Sequence, residues 1–330
     1  IAGVENILCT GSNANGVKME VGFPPSALGA VADHACEYMV LRDYLSFAVA
    51  VYGDNNSWWE YVGGRVYAEY VPVRNYYYQS GMAPQGTGVY ITARFVGDIF
   101  SAWILETATG ENPYVGMENV VRSALSYEFE PGKLFNDGDG DGNYVDAKRF
   151  IDIAYIAAYL FDDPTMLAQA KFLVGDNIVT KYHEGSKGYI AIDSPLLMAL
   201  SGLSDIEPAD DRYEGMDLIN YNGSPLGQYL AHSKWNDPAA VSVFMRIKER
   251  STGNHEHLDS GTFEIYYKGA LTTDGGVYNG YGTPHTDFYH QATISHNGLL
   301  IIDPAKKGSE GGYYSGGQRV VGSSGTTLEN

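Results

Sequence analysis

The 330-residue chain holds 2 cysteines, Cys9 and Cys36. Their spacing makes neither a CxxC pair nor a thiolate metal cage, so they form no redox or metal motif. Whether they pair is left open by position alone. No apolar run approaches the ~18–20 residues that span a bilayer, so the chain offers no membrane segment. Positive charge is scarce: 21 lysines and arginines stand against 40 acidic side chains, for a net −19. A surplus of that sign repels a phosphate backbone and argues against nucleic acid as partner. An anionic sugar remains open, because a local basic cleft can oppose the global field. The QGTG and GYGTP loops lack the Gly-Lys-Ser/Thr of a phosphate cradle.

Aromatic residues, by contrast, are plentiful, with 27 tyrosines and 4 tryptophans. Such amphipathic rings often line carbohydrate grooves, although most of them must serve packing. Apolar periodicity predicts helices over residues 36–52, 57–70, 89–108, 113–127, 146–161 and 165–174. Pro72 should stop the second, and Gly110 should cap the third. Residues 75–88 read as a Gly-rich loop. Helices joined by short connections suggest a bundle or a helical toroid. Beyond about Gly223 the pattern turns to strands, at 241–248, 262–270 and 291–302. In the second, Phe263, Ile265 and Tyr267 alternate with Thr262, Glu264 and Tyr266, the period of a half-buried strand. The fold class expected is α+β, with helices over 1–225 and an antiparallel β-sandwich over 226–330 that continues past Asn330.

The densest chemistry lies in GNHEHLDSGTFEIYYKGALTTD, residues 253–274. His255 and His257 are two apart, and Asp259 shares their parity, so an extended chain puts all three on one face. Asp274 ends a hairpin-like segment, and His296 follows in ATISHNGLLIID. Two imidazoles and a carboxylate from neighbouring strands can make a divalent-metal site of zinc type. The remaining imidazole, His255, would stay free for chemistry.

The order of a helical part, then NHEHLD, TTDGGVY and ISHNGLLIID, resembles the heparinase II/III-like polysaccharide lyases. Within that group it looks closest to the alginate-type members. The resemblance implies an α/α toroid packed on an antiparallel sandwich, and cleavage of a uronic-acid polymer by β-elimination, alginate first and heparin or heparan sulfate second. It implies His257, Asp274 and His296 as ligands of one divalent ion in a mainly structural role; ligand type puts zinc first, with manganese or calcium behind it. His255 is implied as the active-site histidine of the sandwich side. On the helical side His34 would neutralise the substrate carboxylate; Asp33 stands before it, where the family often has Asn. Tyr90, in QGTGVY, matches the family's catalytic tyrosine, with Tyr76, Tyr77 and Tyr78 as competitors. Arg94, one turn after Tyr90, or Asn75 would assist His34. An anionic polysaccharide partner and a secreted or periplasmic location follow from that substrate class.

Other signals point elsewhere. NDGDGDGNYVD, residues 136–146, alternates Asp137, Asp139 and Asp141 as a calcium loop does. Lys148 stands where an EF-hand places its bidentate Glu, so a flexible acidic turn is expected instead. Glu20, Glu60, Glu69 and Glu106 are candidates for a glycosidase carboxylate pair, though no spacing singles one out. A carbohydrate-binding scaffold without catalysis is the non-enzymatic alternative.

Overall fold

The computed structural model describes residues 40–83, 95–140, 144–174, 206–248, 256–280 and 282–299. Its helices are α1 (Leu45–Ala50), α2 (Ser57–Arg65), α3 (Val71–Tyr78), α4 (Val96–Thr109), α5 (Met117–Ser126), α6 (Ile151–Leu160) and α7 (Pro164–Val174). Apolar faces explain their packing. Ile99, Ala102 and Leu105 of α4 and Ile153, Ala154 and Ala157 of α6 are buried in one core. Small residues on α6 let α4 and α7 approach closely.

Pro72 does not stop the second helix. The chain widens into a π turn at Val66–Tyr70, where the N–H of Val71 reaches back to the carbonyl of Val66, and resumes as α3 with Pro72 in its first turn. A first-turn N–H has no intrahelical acceptor, so proline loses nothing there. The loop expected over 75–88 therefore begins late: α3 runs to Tyr78. Asn75 is a brace, donating to the carbonyl of Pro113 at 3.1 Å and accepting from the N–H of Val115 at 2.9 Å. Arg74 and Tyr78, one turn apart, both reach Asp98 on α4, at 2.9 and 2.7 Å. Burial, and then the Asp98 anion, push the Tyr78 hydroxyl well above its ordinary pKa, which makes it a structural donor.

Two antiparallel sheets follow. A small one runs β1 (Glu128–Glu130), β2 (Lys133–Leu134), β3 (Val145–Asp146). The larger runs β4 (Ile219–Asn222), β5 (Gln228–His232), β6 (Ser242–Arg246), β7 (Phe263–Tyr266), β8 (Ala270–Thr272), in sequence order. Register places Gln228 beside Arg246, then Leu230 beside Phe244 and Glu264, then His232 beside Ser242 and Tyr266. This face is turned inward. Phe244 packs on Tyr127 and Phe135, and Tyr266 on Phe129, at ring separations of 4.9, 5.7 and 4.4 Å. The small sheet is thus the wedge between α5 and the larger sheet.

The parity expected for residues 262–270 is inverted. Phe263 is 40% exposed, while Thr262 and Glu264 are 2% and 3% exposed. Glu264 points inward because Arg246 is there to pair with it. In the described part of the strand expected over 291–302, residues 291–299, no strand forms. Thr293–Ser295 forms a 3₁₀ turn, in which the Ser295 hydroxyl donates to the carbonyls of His290 and Ala292. Such local side-chain bonds compete with a strand ladder.

The sheet docks on α5 through polar contacts. Asn220 donates to Ser126, and Ser123 donates to Asn222. One ring nitrogen of His232 meets the carbonyl of Ser126 at 2.7 Å, and the other meets the Ser242 hydroxyl at 2.9 Å. Burial lowers the His232 pKa to about 4, so the ring is neutral at neutral pH.

Candidate metal centre

Arg246 ends β6 and is 1% exposed. An isolated guanidinium in that position would be very costly, so carboxylates must surround it. Its Nε donates to Asp137 at 2.7 Å. Its Nη atoms reach Asp259 at 3.0 Å, Asp274 at 3.2 Å and Glu264 at 3.4 Å. One Nη also donates to the carbonyl of Asn136 at 2.9 Å. Lys248 adds a second cation, 3.0 Å from Asp259. Burial alone would raise the Asp259 and Asp274 carboxyls. The cations, Lys248 first for Asp259 and Arg246 first for Asp274, more than offset it and hold both below the usual range. Glu264 goes the other way: burial, then the Asp274 charge, raise it well above its ordinary value.

Asp274 links this cluster to the histidines. Its Oδ1 lies 2.7 Å from Nδ1 of His296, and its Oδ2 lies 3.9 Å from Nδ1 of His257. The rings of His257 and His296 are 5.1 Å apart. All three residues are buried, and one donor atom from each falls within 4.8 Å of the others. The chain reaches this arrangement through the β7–β8 hairpin, which delivers Asp274, and through Gly275-Gly276, which turns it sharply back. Gly276 has φ +82, and a Cβ there would press on the His290 ring at 3.2 Å.

The opposite edge of His257 is also occupied. Its Nε2 meets Oδ1 of Asp139 at 2.9 Å. The Gln291 amide donates to the same carboxylate at 3.1 Å. Nε2 of His290 lies 3.7 Å from it, and the His290 ring stands edge-on to His257 at 4.5 Å. Burial, then the His257 charge, lower His290 to about 4.

Asp137 and Asp139 correct the expected flexible acidic turn. Both are buried, Asp137 beneath Arg246 and Asp139 beneath His257. Gly138 between them has φ +87, which lets both side chains turn inward. Asp141 lies outside the described residues. The spacing of Asp137 and Asp139 was visible in the sequence, but their burial was not. Arg246 could have been found from SVFMR, where it falls on the parity of Ser242 and Phe244. His290 and Gln291 gave no such signal. Asp259 sits as a partner of Arg246 and Lys248.

The metal set His257, Asp274 and His296 is brought together. His34, Tyr90, Arg94 and His255 lie outside the described residues. Of the competing tyrosines, Tyr78 is buried on Asp98 and Tyr76 is exposed.

The cluster suits a divalent ion on its own chemistry. Nδ1 of His257 and Nε2 of His296 are buried with no hydrogen-bond partner. In each ring the other nitrogen is held by a carboxylate, Asp139 or Asp274. That pattern fixes the tautomer and leaves a lone pair for a cation. The donor set is nitrogen and carboxylate oxygen, a set that divalent ions accept.

No family model matches the chain, and no curated protein does. Solved structures do. A heparinase III gene product is similar over 82% of this chain and 38% of its own, at 15% identity and a TM-score of 0.50. The same product with methylated lysines gives 15% identity, TM-score 0.43, and coverage of 78% and 38%. A further heparinase III structure gives 14% identity, TM-score 0.45, and coverage of 77% and 37%. The chain therefore spans less than two-fifths of the length of these proteins, and the likeness is one of fold. The observed helices and antiparallel sheets agree with it. The narrower likeness to alginate lyases gains no support from these neighbours.

Proposed function

We propose that the protein is a polysaccharide lyase that cleaves a uronic-acid polymer by β-elimination. The observation that carries this is the buried His257–Asp274–His296 group, with two unpartnered ring nitrogens, in a fold similar to heparinase III. The proposal includes a helical part over 1–225 and a sandwich part over 226–330.

The chemistry sets what the other residues do. Removing the C5 proton of a uronate builds negative charge on its carboxylate. Donors aimed at such a charge are commonly worth about 2.7–4 kcal/mol each. His34 takes that role, supported by Arg94. Tyr90 protonates the departing C4 oxygen, and Tyr90 or His255 takes the C5 proton. A phenol does this only when neighbouring positive charge brings its pKa down from ~10. A bound zinc-type ion would supply fixed positive charge and cross-link the segments around His255. His257, Asp274 and His296 would hold it, and they fix the backbone two residues from His255.

A heparin-type glycosaminoglycan is the first substrate class, because the fold likeness is to heparinase III. Alginate is the second, and a different observation favours it. Arg74, Arg212, Arg246 and Lys248 are buried in carboxylate pairs, so they are not available to bind sulfate groups. Among the described residues no helix is long and apolar enough to cross a membrane.

The test is to incubate the protein separately with heparin, heparan sulfate and alginate, and to follow the ultraviolet absorbance of an unsaturated uronate. A rise on one polymer is expected and names the substrate. New reducing ends without that absorbance would replace the lyase with a hydrolase. Binding without either signal would leave only a carbohydrate-binding scaffold.

A further inference from the structure

His257 offers one ring nitrogen to the group just described, and its other nitrogen faces a second group. Asp139, His257 and His290 are 2%, 2% and 1% exposed, and one donor atom from each lies within 4.8 Å of the others. They come from distant places: the turn after β2, the segment leading into Asp259, and the end of the π turn Thr286–His290. The geometry points to a second cation position on this edge of His257, held by Oδ of Asp139, Nε2 of His257 and Nε2 of His290.

Three observations carry it. First, Nε2 of His290 is buried and has no hydrogen-bond partner. Its other ring nitrogen faces the carbonyl of Gly275 at 3.4 Å, so Nε2 is the atom left to ligate. Second, the spacings suit a coordination shell. Tetrahedral ligands at zinc distances of about 2.0–2.1 Å stand about 3.3 Å from one another. The separations from Oδ1 of Asp139 are 2.9 Å to His257 and 3.7 Å to His290. The Gln291 amide, bonded to both oxygens of Asp139 at 3.1 and 3.2 Å, orients that carboxylate as a supporting residue would. Third, the interior carries surplus acid. Asp137, Asp139 and Asp259 are buried, as is the Asp274 side chain, and the buried cations beside this group are Arg246 and Lys248, paired with Asp137, Asp259 and Asp274. A closed, low-dielectric interior holds such a surplus best when cations enter with it.

Filling both positions makes His257 a bridge, with Nδ1 on one ion and Nε2 on the other. The ring then gives up its N–H proton to solvent and acts as an imidazolate. The second ion would tie residues 136–140 to the segment around His290, a cross-link between chain regions far apart in sequence. This position does not depend on which polymer is cleaved, and metal content reads it independently of turnover.

The experiment strips the full chain with a chelator, reloads it with cobalt(II) or zinc, and measures metal per chain by mass spectrometry. Two ions are expected. His290→Gln and Asp139→Asn should each lower the content to one, and His296→Gln should also leave one. His290→Cys should keep two and add a thiolate-to-cobalt charge-transfer band, a signature that a merely structural histidine would not produce. This variant also decides the matter if His290→Gln fails to fold. A single ion that survives in His290→Gln and is lost in His296→Gln would overturn the second position and leave the first. Loss of the sole ion in His290→Gln but not in His296→Gln would establish the second and overturn the first. Absence of any bound ion would overturn both.

Discussion

The helices from Leu45 to Val174 close around Ile99, Leu105, Val120 and Ile153; the sheet from Ile219 to Thr272 adds Leu230 and Phe244 to that core but, at the end of β6, closes around Arg246. Both interiors are tightly buried, but their means differ. The helical core is almost wholly apolar, and its buried ion pair, Arg74–Asp98, joins two helices and is reinforced by Tyr78. On the sheet side, one guanidinium gathers four carboxylates from four separate segments. Apolar packing tolerates small errors, because a methylene more or less costs a bounded amount. A buried charge cluster does not, since removing one member leaves the others without compensation. Rigid placement of histidines and carboxylates, which a metal centre needs, is found on the charged side.

The sharpest way to break this contrast is Arg246→Met. It strands Asp137, Asp259, Asp274 and Glu264 in a closed interior, and a loss of about 3–5 kcal/mol is expected, read from urea unfolding. A variant with an unchanged midpoint would show that the cluster is not what holds the sheet side. Next, Leu105→Ala on α4, which is fully buried, should cost about 2–5 kcal/mol through lost transfer and a residual cavity. Metal content should not change in that variant, whereas Arg246→Met should lower it; equal effects on metal binding would dissolve the division. The smallest effect concerns the seam between the two regions. His232 is neutral when folded, with its pKa depressed to about 4, so the unfolded chain binds the extra proton first as pH falls. Its contribution is complete above the unfolded pKa of ~6.5 and is lost as pH drops toward 4, by up to about 3 kcal/mol. Thermal melts across that range should show the loss, and His232→Gln should flatten the slope. An identical acid limb in that variant would remove His232 as its cause.

This division also explains what could be read from the sequence. The helical part was legible, because apolar residues recurring at helical spacing both make the helix and bury it, as in α4, α6 and α7. The strand at Phe263 was found but turned the wrong way. Hydrophobicity assigned Phe263 inward, and only the position of Arg246 on the neighbouring strand decides that Glu264 goes there. The turn holding Asp137 and Asp139 was seen and read as solvated for the same reason: partners more than a hundred positions away, Arg246 and His257, cannot be inferred from local pattern. His257, Asp274 and His296 were singled out by residue type and by the resemblance, and the structure brings the three together. His290 was not, because it arrives from a short π turn that has no marked periodicity.

The widened turn at Val66–Tyr70 works as a phase setting. Each residue of an α-helix advances the azimuth by about 100°, so one residue accommodated there rotates everything that follows by roughly that angle. Arg74 and Tyr78 sit downstream of it, and their shared aim at Asp98 depends on that offset. Deleting a single residue from this turn would swing both side chains about a quarter-circle away, so that a change of length, with no loss of any contacting group, would unlatch α3 from α4.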